Sequence, residues 1–251
     1  MNERLVVLSM MAINGLALRR LERPERFPGR PRQVGPNLAL TGLLVALNFG
    51  LDRFVRVDSP PSGLLGMARW PGWAAIVATV VVLDGLAYAA HVLMHRWPLL
   101  WRVHRVHHSD ATVDVTTAFR QHPLETTWRY AFLFVGATVL GASSTGVAVY
   151  LGLSALIAQL EHAQVVWPAQ VDRAVRILTA SPAMHRVHHS RQPSETDTNY
   201  ANVLSFWDRA FGTYRAPRPG ESIVVGLEGW DEPERQRTAG LLTLPFGPRE
   251  G

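Results

Sequence analysis

Apolar residues in this chain come in long runs separated by short polar stretches rich in Arg and His. Five runs stand out, at about residues 5–18, 37–51, 74–94, 130–142 and 146–160. The third is long enough to cross a bilayer, which needs ~20 apolar residues in a helix. The first is short for a full pass. The last two are joined by Ser143, Ser144 and Thr145 and read as a helical hairpin, a shallow one since each arm is under a full span. Trp residues bracket these runs: Trp70 and Trp73 precede the third, Trp97 and Trp101 follow it, and Trp128 and Trp167 flank the hairpin. Indole prefers the headgroup layer, so these positions fit membrane borders. The pattern predicts an all-α integral membrane protein with about four to five transmembrane or membrane-embedded helices. Residues 191–251, rich in Gly, Pro and charge, predict a cytosolic cap of short helices with little sheet. No linker composition divides the chain, so residues 1–251 are expected to form one membrane-embedded domain.

Charge sets the orientation. Residues 19–32 carry Arg19, Arg20, Arg23, Arg26, Arg30 and Arg32, and basic loops favour the cytoplasmic side. Counting passes from there puts 91–108, His122, His162 and the tail on that same face. The run at 5–18 is followed directly by Arg19 and Arg20 with no small-residue cleavage site, and is expected to be a retained anchor. All 25 Lys+Arg residues are Arg, a bias that fits a GC-rich bacterial genome. They are scattered over loops and form no stripe, so no nucleic-acid partner is expected. With no Cys, the chain has no disulfide and no thiolate metal site; any metal must be held by His, Asp or Glu.

The ten His fall in a few places. His91 and His95 are spaced i, i+4 at the end of the third run. His104-Arg105-Val106-His107-His108-Ser109 recurs letter for letter as His185-Arg186-Val187-His188-His189-Ser190. On a helix, residues three and four apart share a face, so each cluster is expected to present a convergent group of imidazoles. Eight clustered imidazoles exceed what a four-coordinate zinc uses and suit a dinuclear centre. Left without metal, they would titrate near neutral pH and repel one another. His122 and His162 stand alone, one on each side of the hairpin; each is either a further ligand or an ordinary structural residue.

Asp84 lies inside the third run, seven residues before His91 and about 10 Å deeper at ~1.5 Å per residue. At that depth it is expected to hydrogen-bond something that anchors a ligand, or to join helices. Glu161 adjoins His162, but neighbours on a helix differ by about 100°, so the two are not expected to aim at one metal. Asp197, Asn199 and Asp208 follow the last cluster and are candidates to orient imidazole N–H groups.

Together these residues resemble the fatty acid hydroxylase/sterol desaturase superfamily of integral membrane di-iron enzymes. The matching strings run from Asp84 to Tyr214. Asp84, Tyr88, His91 and His95 look like the first histidine box, with Pro98, Leu99 and Trp101 before the second, His104 to Ser109. Arg120, His122, Pro123 and Glu125 resemble its Arg-x-His-Pro-x-Glu element, and His162 sits where a lone His often follows the hairpin. Pro182, His185 and His188 to Ser190 match the last box. Asp197, Asn199, Tyr200, Trp207, Asp208, Phe211, Gly212, Thr213 and Tyr214 resemble the trailing signature. Departures are Ala89, Ala90 and Val92 around His91, Gln164 where Asn is common, and Ala201 where Gly is usual.

The resemblance implies two iron ions held by His91, His95, His104, His107, His108, His122, His162, His185, His188 and His189. It implies an O2-dependent monooxygenase or desaturase acting on a lipid C–H position: fatty acyl, sterol, carotenoid or similar. The sequence carries no Gly-rich dinucleotide fingerprint, so an external donor, a ferredoxin or a cytochrome with its reductase, is expected to supply electrons. The expected location is a bacterial cell membrane with the site on its cytoplasmic side. A non-catalytic membrane metal carrier is the competing reading; it would spread ionisable residues along a path, whereas these gather at one face. A zinc hydrolase would want a His-Glu-x-x-His string, which is absent.

Overall fold

The computed structural model describes residues 3–27, 32–54, 70–218 and 223–247; Arg30 lies outside them. Five long helices carry the five apolar runs: α1 (Glu3–Leu21), α2 (Val34–Phe54), α3 (Gly72–Arg96), α5 (Pro123–Leu140) and α6 (Ser144–His162). Between α3 and α5 lies α4 (Pro98–His108). Three stretches are long and apolar enough to cross a membrane: Val34–Leu51 in α2, Gly72–Arg96 and Ser144–His162. Helix α5 starts seven residues before the apolar run that marks it. Pro123 sits at its first turn and the His122 side chain accepts the Leu124 N–H at 3.2 Å, a start signal that hydropathy does not see.

Helix α3 packs against α5 and α6 around Leu83, Ala137, Leu140 and Tyr150. Helix α1 lies along α6, fastened by polar groups: Asn14 Nδ2 donates to Gln159 Oε1 at 2.9 Å, and Gln159 Nε2 donates to Met11 O at 2.9 Å. The hairpin turn depends on Gly141, whose φ of 66° is left-handed; its N–H reaches Thr138 O while the Ala142 N–H reaches Ala137 O, closing the end of α5. Outward faces are apolar and open: Ile13 is 69% exposed, Val135 58% and Val77 55%, as lipid-facing side chains should be.

Short elements form the cap: α7 (Ala169–Leu178), α8 (Pro182–His188), α9 (Pro193–Thr196), α10 (Phe206–Ala210) and α11 (Thr238–Thr243). Among the described residues the cap has no strand, only an isolated bridge between Ser190 and Val225. Buried charge pins the loops to the helix ends. Glu22 accepts from the backbone N–H groups of Val115 and Gln164, while its other oxygen meets Arg19 at 3.1 Å and Arg32 at 3.2 Å. The basic stretch after α1 therefore sits beside the loops that follow α4 and α6. Arg120, fully buried, donates to Val106 O, Asn37 Oδ1, Ser109 Oγ and Gln236 Oε1, and so fixes the end of α4 against α2 and the tail.

Candidate metal centre

Nine of the ten His come together in two groups. His91, His95, His104, His108 and His188 form one; His107, His162, His185 and His189 form the other. In each group one donor atom per residue lies within 4.8 Å of all the others. The sequence suggested that each His-x-x-His-His box would act as one convergent unit. The structure corrects this. His104 and His108, spaced i, i+4, stay together, and their neighbour His107 turns to the other group. The second copy is the mirror case: His185 and His189 share a group and His188 crosses over. One helix turn brings i and i+4 nearly into line, while successive residues diverge by about 100°. The two copies meet face to face, with ring centroids 4.7 Å apart for His107 and His189 and 4.7 Å for His108 and His188.

Outer hydrogen bonds fix the ring orientations. His91 Nδ1 donates to Tyr200 O at 2.8 Å, His188 Nδ1 to Thr198 O at 2.7 Å, and His162 Nδ1 to Ala158 O at 2.6 Å. His104 Nδ1 meets Glu125 Oε1 at 3.0 Å, and His95 Nδ1 meets Asp197 Oδ1 at 3.2 Å. With the proton held on Nδ1, each Nε2 turns a lone pair inward, the arrangement metal-binding histidines favour. Burial holds His104, His107, His108, His185 and His189 well below the ordinary imidazole value, and neighbouring imidazoles push the same way. Burial also takes His188 down to about 4. These rings are therefore neutral donors at pH 7.

The donor set fits metal ions. His162 Nε2 lies 3.1 Å from the Nε2 atoms of His107, His185 and His189 alike. One lone pair accepts one proton, so these contacts cannot all be hydrogen bonds. His95 Nε2, His108 Nε2 and His188 Nε2 are buried with no hydrogen-bond partner, an arrangement costly without an electrophile. A nitrogen–nitrogen edge of 3.1 Å also suits a shared metal: it spans an octahedron whose centre-to-vertex distance is about 2.2 Å, close to imidazole–metal bonds of ~2.0–2.1 Å.

Other residues the sequence singled out take different places. His122 belongs to neither group: its Nδ1 caps α5 and its Nε2 faces Leu242 O at 3.3 Å, so both nitrogens have work away from the centre. Asp84 touches no imidazole. It accepts from Val203 N, Leu204 N and Trp207 Nε1, joining α3 to the cap. Asp208 accepts from Tyr200 N and Ala201 N. Asn199, at φ 55°, donates to Met184 O and Arg215 O. These three shape residues 198–204, whose carbonyls hold His91 and His188, and so act one step further out than direct contact. Asp197 does reach its imidazole. Glu161 Oε1 lies 3.7 Å from His185 Nε2 and its Oε2 is buried without a partner, so the carboxylate borders the second group after all. Helical angle alone excluded it; the reach of its side chain at the last turn of α6 brings it in. The Thr198 and Tyr200 carbonyls carry no sequence signal.

A cavity of about 600 Å³ opens from the centre into the helix bundle. His91, His104 and His107 line one end; Leu8, Leu133 and Val147 line the apolar wall.

The profile of the fatty acid hydroxylase family matches residues 76–213. The chain is 31% identical over 163 residues to an ornithine lipid hydroxylase of Rhizobium tropici, covering 64% of this chain and 48% of that protein. It is 31% identical over 162 residues to the alkylglycerol monooxygenase of Danio rerio, covering 64% and 33%. To the cholesterol 25-hydroxylase of Rattus norvegicus it is 22% identical over 168 residues, covering 66% and 55%. The chain thus spans about half or less of the first two relatives. No solved structure matches it. The matched segment is more than half of the chain and contains all nine clustered histidines, and on that ground the chain belongs to the fatty acid hydroxylase family.

Proposed function

We propose that this protein is a membrane di-iron oxygenase that hydroxylates or desaturates a C–H position of a lipid. His91, His95, His104, His108 and His188 hold one iron; His107, His162, His185 and His189 hold the other, with Glu161 beside it. The observation that carries this reading is the exchange of His107 and His188 between the two groups, which binds two neighbouring sites into one unit. Bound iron supplies the activation of O2 that an unreactive C–H bond requires.

The chain's own residues do the rest. The apolar wall of the cavity takes the lipid chain and keeps bulk water from the centre. Glu125, Asp197 and the carbonyls of Thr198 and Tyr200 keep protons on Nδ1 and hold the rings rigid. Neutral imidazoles, together with Glu161, supply a donor set suited to iron. Electrons come from a separate redox protein, and the centre faces the cytoplasmic side of a bacterial cell membrane, a reading that the basic stretch after α1 supports. The names of the relatives, a lipid hydroxylase and a monooxygenase, support the reaction class.

The test is metal analysis with Mössbauer spectroscopy on anaerobically purified protein. Two irons per chain and a spectral change on adding O2 are expected. A single tightly held zinc that iron cannot replace would overturn the proposal.

A further inference from the structure

Arg129 lies in α5, six residues past Pro123, and so about 9 Å along the helix at ~1.5 Å per residue. It lines the cavity that leads from the histidines. Among the described residues it makes no hydrogen bond and no ion pair. Glu125, one turn away, gives one oxygen to His104 and leaves the other unpartnered rather than meeting Arg129 within ion-pair distance. Glu161 lines the same cavity and is likewise not within ion-pair distance of it, although the guanidinium's charge reaches both carboxylates. The guanidinium is close enough to the centre to help depress His107, after burial and the imidazoles of His162, His91 and His188.

A half-buried cation that no side chain pairs, facing a chamber with an apolar wall, is a candidate to bind an anionic ligand. A structural Arg in this fold looks different: Arg120, fully buried where Arg129 is half-buried, spends its donors on four oxygens. We infer that Arg129 is a substrate-binding residue and that the cavity takes a lipid carrying an anionic group, a carboxylate or a phosphate ester. The planar guanidinium grips either with paired hydrogen bonds. The apolar wall formed by Leu8, Leu133 and Val147 takes the chain. Because Arg129 shares the chamber with His91, His104 and His107, the oxidised carbon lies near the anionic group and not at the far methyl end. This inference rests on the proposed lipid oxidation and narrows its substrate class.

The experiment measures binding of hexadecanoate, hexadecyl phosphate and methyl hexadecanoate to the full-length protein in non-ionic detergent, by calorimetry. At least tenfold tighter binding of one or both anions than of the ester is expected; which anion wins separates the two sources. R129Q should remove the preference, bringing the anions to the level of the ester, while R129K should keep part of it. Equal binding of all three ligands by the wild type, or a preference that survives in R129Q, would overturn the inference. If R129Q does not fold, the wild-type comparison alone decides. Iron content is read on the same samples. Two irons with no charge preference sink only this inference; a charge preference in a protein that cannot take iron sinks the oxygenase reading instead.

Discussion

The rings of His107 and His108, adjacent in the chain, stand 87° apart and point into different donor groups. His188 and His189 repeat the relationship at 89°. Each box therefore contributes to both groups, and neither group is complete without both boxes. Substitution of one residue of such a pair should empty one position and leave its neighbour's metal in place. His107→Ala and His188→Ala are each expected to bring iron down to about one per chain and to cut turnover by at least ~100-fold, the upper range for losing even an outer partner of a ligand. Metal analysis beside a turnover assay checks this. Full iron content in either variant would contradict the grouping.

His122→Ala should behave differently. Its imidazole caps α5, so iron content is expected to stay at the wild-type level while stability falls by about 0.5–2 kcal/mol, as for other N-cap losses. Thermal unfolding alongside metal analysis separates the two effects; loss of one iron would restore His122 as a ligand.

Asp84→Asn removes one acceptor oxygen from a carboxylate that uses both, leaving a buried donor among Val203 N, Leu204 N and Trp207 Nε1 short of its partner. A loss of about 1–3 kcal/mol is expected. The strand of chain that Asp84 holds also carries Tyr200, so His91 should loosen and iron should be lost faster to a chelator. Unchanged chelation kinetics would confine Asp84 to joining helices.

Glu161→Ala and Glu161→Gln distinguish a donor from a packing residue. The alanine variant should lower occupancy of the group containing His185 and leave the other group filled, since only His162 and His185 lie near the carboxylate. The glutamine variant, which keeps an oxygen, should retain more iron. Equal iron in wild type and alanine variant, read by metal analysis, would remove Glu161 from the site.

Much of this architecture was legible in the sequence, and the misses have physical causes. The apolar runs gave all five long helices, because burial in lipid demands continuous apolar length. The duplicated His-Arg-Val-His-His-Ser string pointed to a candidate metal centre, and the structure gathers its imidazoles into two groups that could hold metal. The division of labour inside each string was not legible from clustering, although the 100° step between His107 and His108 contains it. Arg129 escaped because it sits in the polar first turns of α5, where hydropathy placed a loop. Glu161 escaped because helical angle describes where Cβ points and not how far a long side chain can bend. The carbonyls of Thr198 and Tyr200 are invisible in principle: any residue type offers one, and only the path set by Asn199 and Asp208 aims them.

The tie between Asp84 and residues 203–207 has a consequence for biogenesis. Helix α3 leaves the ribosome early, yet its carboxylate finds its backbone partners only after more than a hundred further residues have been made. Until then the nascent chain holds a bare acid within the bilayer and an open ring of imidazoles. On the proposed di-iron reading, iron insertion would be a late step of synthesis, and a cell starved of the metal would accumulate inserted but unclosed protein, a ready target for membrane proteases.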